Sequence, residues 1–119
     1  MNKLFSREIK SFSYAIAGIS YAFKTQVNFK IQVSIGLFAI VLAWFFGFSK
    51  IEWLVLLVSI SMILSAELAN TVVERIVDFK TEVFHDDAKI IKDLSAGVVL
   101  VVSIFVAAVG IMLFVPHLI

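Results

Sequence analysis

The sequence predicts an all-α membrane protein, with one amphipathic helix on the membrane surface followed by three transmembrane helices, in a single domain over residues 1–119. Three observations carry that reading. Hydrophobic residues make up 61% of the chain and charged residues 16%, where a soluble domain has about 45–50% and 25%. Three stretches are long enough, and poor enough in charge, to cross a bilayer, which takes about 20 residues. One Pro and five Gly supply too few turn residues for a many-stranded β protein. The net charge of +1, from 10 basic and 9 acidic side chains, offers no footprint for nucleic acid. The absence of Cys excludes disulfides and thiolate metal sites.

Residues 4–26 form the surface helix. At about 100° per residue, Phe5, Ile9, Phe12, Ile16, Ile19 and Phe23 share a stripe about 80° wide. Arg7, Lys10, Ser11, Tyr14, Gly18, Tyr21 and Thr25 lie opposite, a pattern suited to the membrane interface; packing of the stripe on the bundle is the other use of such a face. The first span covers about 31–48, inside an uncharged run of 19 residues from position 31 to 49. The second covers about 52–79, where 14 uncharged residues lead into Glu67, Glu74 and Arg75 without a break in the helical pattern. The third covers about 94–115, within 26 residues that carry no formal charge apart from His117, usually neutral, and Pro116 ends it. Trp44 and Trp53 sit near span ends, as interfacial aromatics do. Nine of the ten basic residues precede the first span or fall near the loop between the second and third, and only Lys50 lies in the other loop. The positive-inside tendency therefore puts the N-terminus and the 80–93 loop in the cytoplasm of a multi-pass cell-membrane protein, with the C-terminus outside. The first 30 residues lack an apolar core of signal-peptide type, so no cleavage is expected.

The second span holds polar groups that are costly in lipid, about 2.5–3.5 kcal/mol for a charge at the centre of the bilayer. With Glu67 at zero, Asn70 falls near 300°, Glu74 near 340° and Asp78 near 20°, an arc of about 80°. At 1.5 Å per residue they form a ladder roughly 16 Å long that ends at the 80–93 loop. Taken singly, Glu74 and Asp78 suit interfacial charges, Asn70 an interhelical hydrogen bond, Lys92 and Asp93 a topology-setting pair, and His85 a solvated loop residue. Glu67 lies deepest, with no basic residue within one turn. Jointly the set reads as a site at the membrane boundary, with carboxylates for a base and a metal and a lysine for phosphate. Glycine-rich phosphate loops, nucleophile elbows and H-E-x-x-H are absent, so helix-borne side chains would have to hold any nucleotide. A small proton-coupled transporter, with Glu67 binding the proton, and a non-catalytic scaffold are the rival readings; the first predicts polar groups near mid-membrane, whereas this ladder runs outward to a basic loop. A lone monomer would turn carboxylates toward acyl chains, so association is expected, with Ser65, Ala66, Ala69, Ser95, Ala96 and Gly97 allowing close helix approach.

The run Glu67-Leu68-Ala69-Asn70-Thr71-Val72-Val73-Glu74 with Asp78, and then Ala88-Lys89-Ile90-Ile91-Lys92-Asp93, matches E-x-x-N-[ST]-x-x-E-x-x-x-D and A-K-x-x-K-D. The chain thereby resembles the small integral-membrane prokaryotic diacylglycerol kinases, a family that includes undecaprenol kinases. Residues 22–31, Ala-Phe-Lys-Thr-Gln-Val-Asn-Phe-Lys-Ile, resemble a segment common in the undecaprenol kinase branch.

The resemblance implies ATP-dependent phosphorylation of a membrane lipid hydroxyl, diacylglycerol or undecaprenol, by a homotrimer whose active sites are shared between subunits. It implies Glu67 as the base at the lipid substrate and Glu74 as the ligand of the magnesium that accompanies ATP. Asn70, Asp78, His85, Lys92 and Asp93 match positions lining the nucleotide site, and Arg7 and Tyr14 match those contributed by the surface helix. Gln26 stands where the family usually has a second metal-binding glutamate; its amide oxygen can still coordinate magnesium, with one negative charge fewer. That departure fits a catalytically weakened enzyme, an inactive one, or a branch that draws its carboxylate from elsewhere. Val83 replaces a usually polar nucleotide-loop residue.

Overall fold

The structure is a computed structural model and describes residues 2–80 and 85–119. Among the described residues there are four helices, α1 (Lys3–Thr25), α2 (Val27–Phe46), α3 (Lys50–Lys80) and α4 (Asp86–Leu118). The last three are long and apolar enough to cross a membrane. The chain is a multi-pass membrane protein.

Local chemistry explains where each helix begins and stops. The Asn2 side chain accepts the Leu4 N–H at 3.0 Å and caps α1. Gln26, in an extended conformation, forms a one-residue joint: its N–H donates to the Ala22 carbonyl and its own carbonyl accepts from Lys30. Gly47 stops α2 with a left-handed φ of 67°, and the Phe48 N–H returns to the Ala43 carbonyl at 3.0 Å, closing the helix in the way glycine caps do. Ser49 and Glu52 then make a reciprocal capping box for α3, the Ser49 N–H donating to Glu52 Oε1 and the Glu52 N–H to Ser49 Oγ. His85 Nδ1 accepts the Asp87 N–H at 3.1 Å and starts α4.

α3 is the central element, packed against α4, α2 and α1. The buried core of Ala43, Phe48 and Leu56 lies around the α2–α3 turn, with Leu113 and Phe114 of α4 against it. Gly36 lets α2 approach α3 closely, since a Cβ there would stand 3.3 Å from Ile60 Cγ2. The molecule is flat, 53 × 49 × 21 Å. A three-helix stack is long in one direction only, so the second long dimension comes from α1 leaving the bundle at Gln26. Of α1 only Ala22 is buried; the apolar stripe from Phe5 to Phe23 lies open along its length. Of the two uses of that stripe, packing on the bundle is the one not realised.

The helices overrun the expected boundaries. α2 begins four residues before position 31, because Asn28 and Lys30 end the hydrophobic run without ending the helix. Residues 86–93, expected in a loop, form the first two turns of α4. Asp86 and Asp87 favour a helix N-terminus, and the Lys89–Asp93 pair at 2.5 Å spans one turn. Pro116 does not end α4, which continues to Leu118. A proline removes only its own N–H, which would have bonded the Met112 carbonyl one turn back, and the helix runs two residues past it.

Candidate functional site on the third helix

The predicted ladder forms on one flank of α3. Glu67 is buried, at 5% exposure. Its backbone carbonyl accepts the Thr71 hydroxyl at 3.0 Å; its carboxylate has no hydrogen-bonding side-chain partner among the described residues. One turn on, Asn70 Nδ2 donates to Glu74 Oε1 at 3.2 Å. Asn70 Oδ1 is buried with no partner, an arrangement that costs about 1–3 kcal/mol unless something else fills it. Asp78 closes the ladder by pairing with Lys92 Nζ of α4 at 2.5 Å.

The structure thus lines Glu67, Asn70, Glu74 and Asp78 along one flank of α3, with Asn70 joined to Glu74 and Asp78 to Lys92 of α4. Asp93 turns one helical turn back to Lys89, and His85 is spent on capping α4. Arg7 and Tyr14 lie on the exposed part of α1, without a polar contact to this flank among the described residues. Gln26 sits at the joint of α1 and α2, its side chain partly buried and not used in capping. Val83 lies outside the described residues.

Two contacts outside this flank were not legible in the sequence. The Arg75 guanidinium stands over the Tyr21 ring, 5.6 Å from its centroid, and ties α1 to α3. At the opposite end of the bundle His117 Nε2 meets Glu52 Oε2 at 2.6 Å, with the His117 ring stacked on Phe48 at 5.0 Å and Phe46 at 5.8 Å. The Ser49-x-x-Glu52 spacing was a visible signal for the cap, but nothing local pointed to His117.

The donors available around Asn70 are oxygens, the free Asn70 Oδ1 and the second oxygen of Glu74. Among the described residues no three Asp, Glu or His side chains gather tightly enough to hold an ion unaided. A hard cation carried in by a phosphate substrate fits such a set, since magnesium is commonly bound through one or two carboxylates plus phosphates and water.

The family model of the prokaryotic diacylglycerol kinases matches residues 13–114, which takes in every candidate residue but Arg7. Over 109 residues the chain is 40% identical to a diacylglycerol kinase of Synechocystis, covering 91% of this chain and 62% of that one. It therefore spans less than two thirds of that relative's length. It is 33% identical to an undecaprenol kinase of Bacillus subtilis over 113 residues, 95% of this chain and 92% of the relative. A diacylglycerol kinase of Helicobacter pylori is 33% identical over 103 residues, 87% of this chain and 80% of that one.

Proposed function

The chain belongs to the prokaryotic diacylglycerol kinase family, and from that premise we propose that it transfers the terminal phosphoryl group of ATP to the hydroxyl of a membrane lipid. The relatives are lipid kinases by name, which supports a kinase over the transporter and scaffold readings of the chain. The observation that carries the proposal is the polar flank of α3, with a buried carboxylate at one end and, at the other, an aspartate paired with a lysine of α4.

Phosphoryl transfer asks a protein for in-line positioning and for charge opposite the phosphate oxygens. Glu67 takes the proton of the lipid hydroxyl, which reaches it from within the bilayer. Its carboxylate is suited to that task because no neighbouring donor among the described residues occupies it. Asn70 holds one oxygen of Glu74 and so aims the other. Magnesium, when bound with ATP, neutralises phosphate charge; Glu74, Asn70 Oδ1 and Gln26 are the residues that would hold it. Lys92 is steadied by Asp78 and, with three N–H donors, keeps two for phosphate oxygens. Arg7, Tyr14, His85 and Asp93 complete the nucleotide side in this reading. The N-terminus and the α3–α4 connection face the cytoplasm, where ATP is, and copies of the chain associate as a trimer that shields the polar flank from lipid.

The test is magnesium-dependent transfer of labelled phosphate to diacylglycerol or undecaprenol offered in competition, in detergent micelles. Removing magnesium with a chelator stops transfer and adding it back restores it. Glu67→Gln keeps size and fold and lowers turnover by about 10²–10⁴-fold, the range for loss of a general base. Wild-type turnover in that variant sinks the assignment of the base. A wild-type chain that transfers nothing to either lipid points to Gln26 as a disabling substitution, and restoration by Gln26→Glu would establish it.

A further inference from the structure

A groove of about 570 Å³ runs between α1 and α3, apart from the polar flank, and its chemistry changes from one end to the other. Ile19 and Ala22 of α1 and Leu68 and Val72 of α3 line it with apolar surface, and Ile19 and Val72 remain about half exposed. Arg75 stands at its far end over Tyr21. It is the one formally charged side chain in that lining, and no carboxylate among the described residues pairs with it. An apolar lane ending in an unneutralised cation is complementary to an amphiphile with an anionic head. Arg75 lies seven residues beyond Leu68 on α3, about 10 Å toward the charged end of the helix. A lipid lying with its chains toward Leu68 would present its head to the guanidinium.

The position relative to Glu67 narrows the occupant. Thr71 lines the groove while its hydroxyl donates to the Glu67 carbonyl, so the groove borders the turn that carries the base. Arg75 lies eight residues beyond Glu67, about 12 Å along α3 and about 80° around it. A neutral lipid alcohol has no charge for Arg75 to meet; its phosphorylated form does. A planar guanidinium also suits phosphate, which it can engage through two parallel N–H donors. The π face of Tyr21 steadies the cation within the usual distance of about 6 Å when no anion is present.

We propose that the α1–α3 groove is a binding site for a lipid monophosphate, the product of the transfer, with Arg75 as the cation for its head. The identity of the occupant as product rests on the kinase reading above; the anionic-lipid site itself does not. Arg75 thereby receives the phosphorylated head as it leaves Glu67, and the chain retains product in proportion to its charge.

The test is photo-crosslinking of the full chain in phosphatidylcholine vesicles with acyl-chain diazirine probes of phosphatidic acid, diacylglycerol or phosphatidylcholine. Phosphatidic acid should label peptides around residues 15–22 and 68–76 about five-fold more than either other probe, the scale of one partly exposed charge-assisted contact. Arg75→Gln should reduce that excess to the level of the uncharged probe, and Arg75→Lys should keep most of it. Equal labelling by all three probes overturns the site. So does Arg75→Lys losing as much as Arg75→Gln, which would mark a purely structural contact with Tyr21. Labelling needs no turnover. A chain that labels in this way but transfers no phosphate, with or without Gln26→Glu, keeps the site and overturns the kinase reading, and one that transfers phosphate with no excess labelling does the reverse.

Discussion

Replacing Asn70 with Ala separates folding from function, because the wild-type side chain is in tension between the two. Its Nδ2 donates to Glu74 at 3.2 Å, a contact that within a membrane helix contributes about 0.6–1.7 kcal/mol. Its Oδ1 is buried and unpartnered, which costs about 1–3 kcal/mol. Removing the amide loses the first and relieves the second, and alanine regains roughly 0.5 kcal/mol of helix propensity. The gains outweigh the loss at their central values, so stability without ligand should match wild type or exceed it by about 1–2 kcal/mol. Function should not stay so close. Glu74 loses the partner that aims it, and removal of such an orienting residue lowers metal affinity or activity by about 10–100-fold. The shift in unfolding midpoint produced by magnesium and ATP should shrink accordingly, by about 1.4–2.7 kcal/mol of stabilisation at saturating ligand. The assay pairs thermal unfolding in detergent, with and without magnesium and ATP, with phosphate transfer to lipid. A variant that unfolds more than about 3 kcal/mol more easily, yet keeps its full ligand-induced shift, refutes the reasoning, since Asn70 would then be a structural hydrogen bond and nothing more.

Reversing one member of the Asp78–Lys92 pair sets like charges together. Hydrogen exchange in the first turns of α4 should rise in each single variant and recover in the double reversal, while turnover recovers in neither because the cation has moved to α3. Phe48→Ala should cost about 3 kcal/mol or more in an unfolding titration, because the ring is 7% exposed and meets Phe114, His117 and Trp53 at 4.9, 5.0 and 6.1 Å. Gly36→Ala should be mild, since the helix propensity gained, about 1 kcal/mol, offsets the small shift Ile60 must make for a Cβ 3.3 Å from its Cγ2; Gly36→Leu should cost about 1–3 kcal/mol by overpacking, read in the same titration.

How much of this was legible in the sequence follows from the range of the signals. Glu67, Asn70, Glu74 and Asp78 repeat at three and four residues, so helical geometry alone puts them on one flank, and the structure places them there. The Gln26 joint was foreshadowed by the change from an amphipathic to a uniformly apolar pattern. The start of α4 was hidden because Asp86 through Asp93 carry charges that mark the edge of a hydrophobic run, and a helix can pass that edge freely. The pairing of Asp78 with Lys92 and of Arg75 with Tyr21, and the 65-residue separation of Glu52 from His117, leave no local trace. Those partners are set by tertiary packing.

The two ends of the bundle are built from different physics, and this asymmetry bears on function more than any single contact. Around the α2–α3 turn, Ala43, Phe48 and Leu56 are buried, Phe48 and Phe46 stack on His117, and Glu52 fixes that histidine. Such an end opens only by breaking aromatic packing and the Glu52–His117 hydrogen bond together. At the other end, Glu74 and the Asp78–Lys92 pair lie on a polar flank with an unfilled Asn70 oxygen, and α1 touches α3 along an open groove. In the proposed reading, the open groove and polar flank at this end would admit substrates while the aromatic packing at the other end holds the fold. A site for a charged nucleotide and a lipid requires this division, because polar groups buried as tightly as Phe48 would have no room for either substrate.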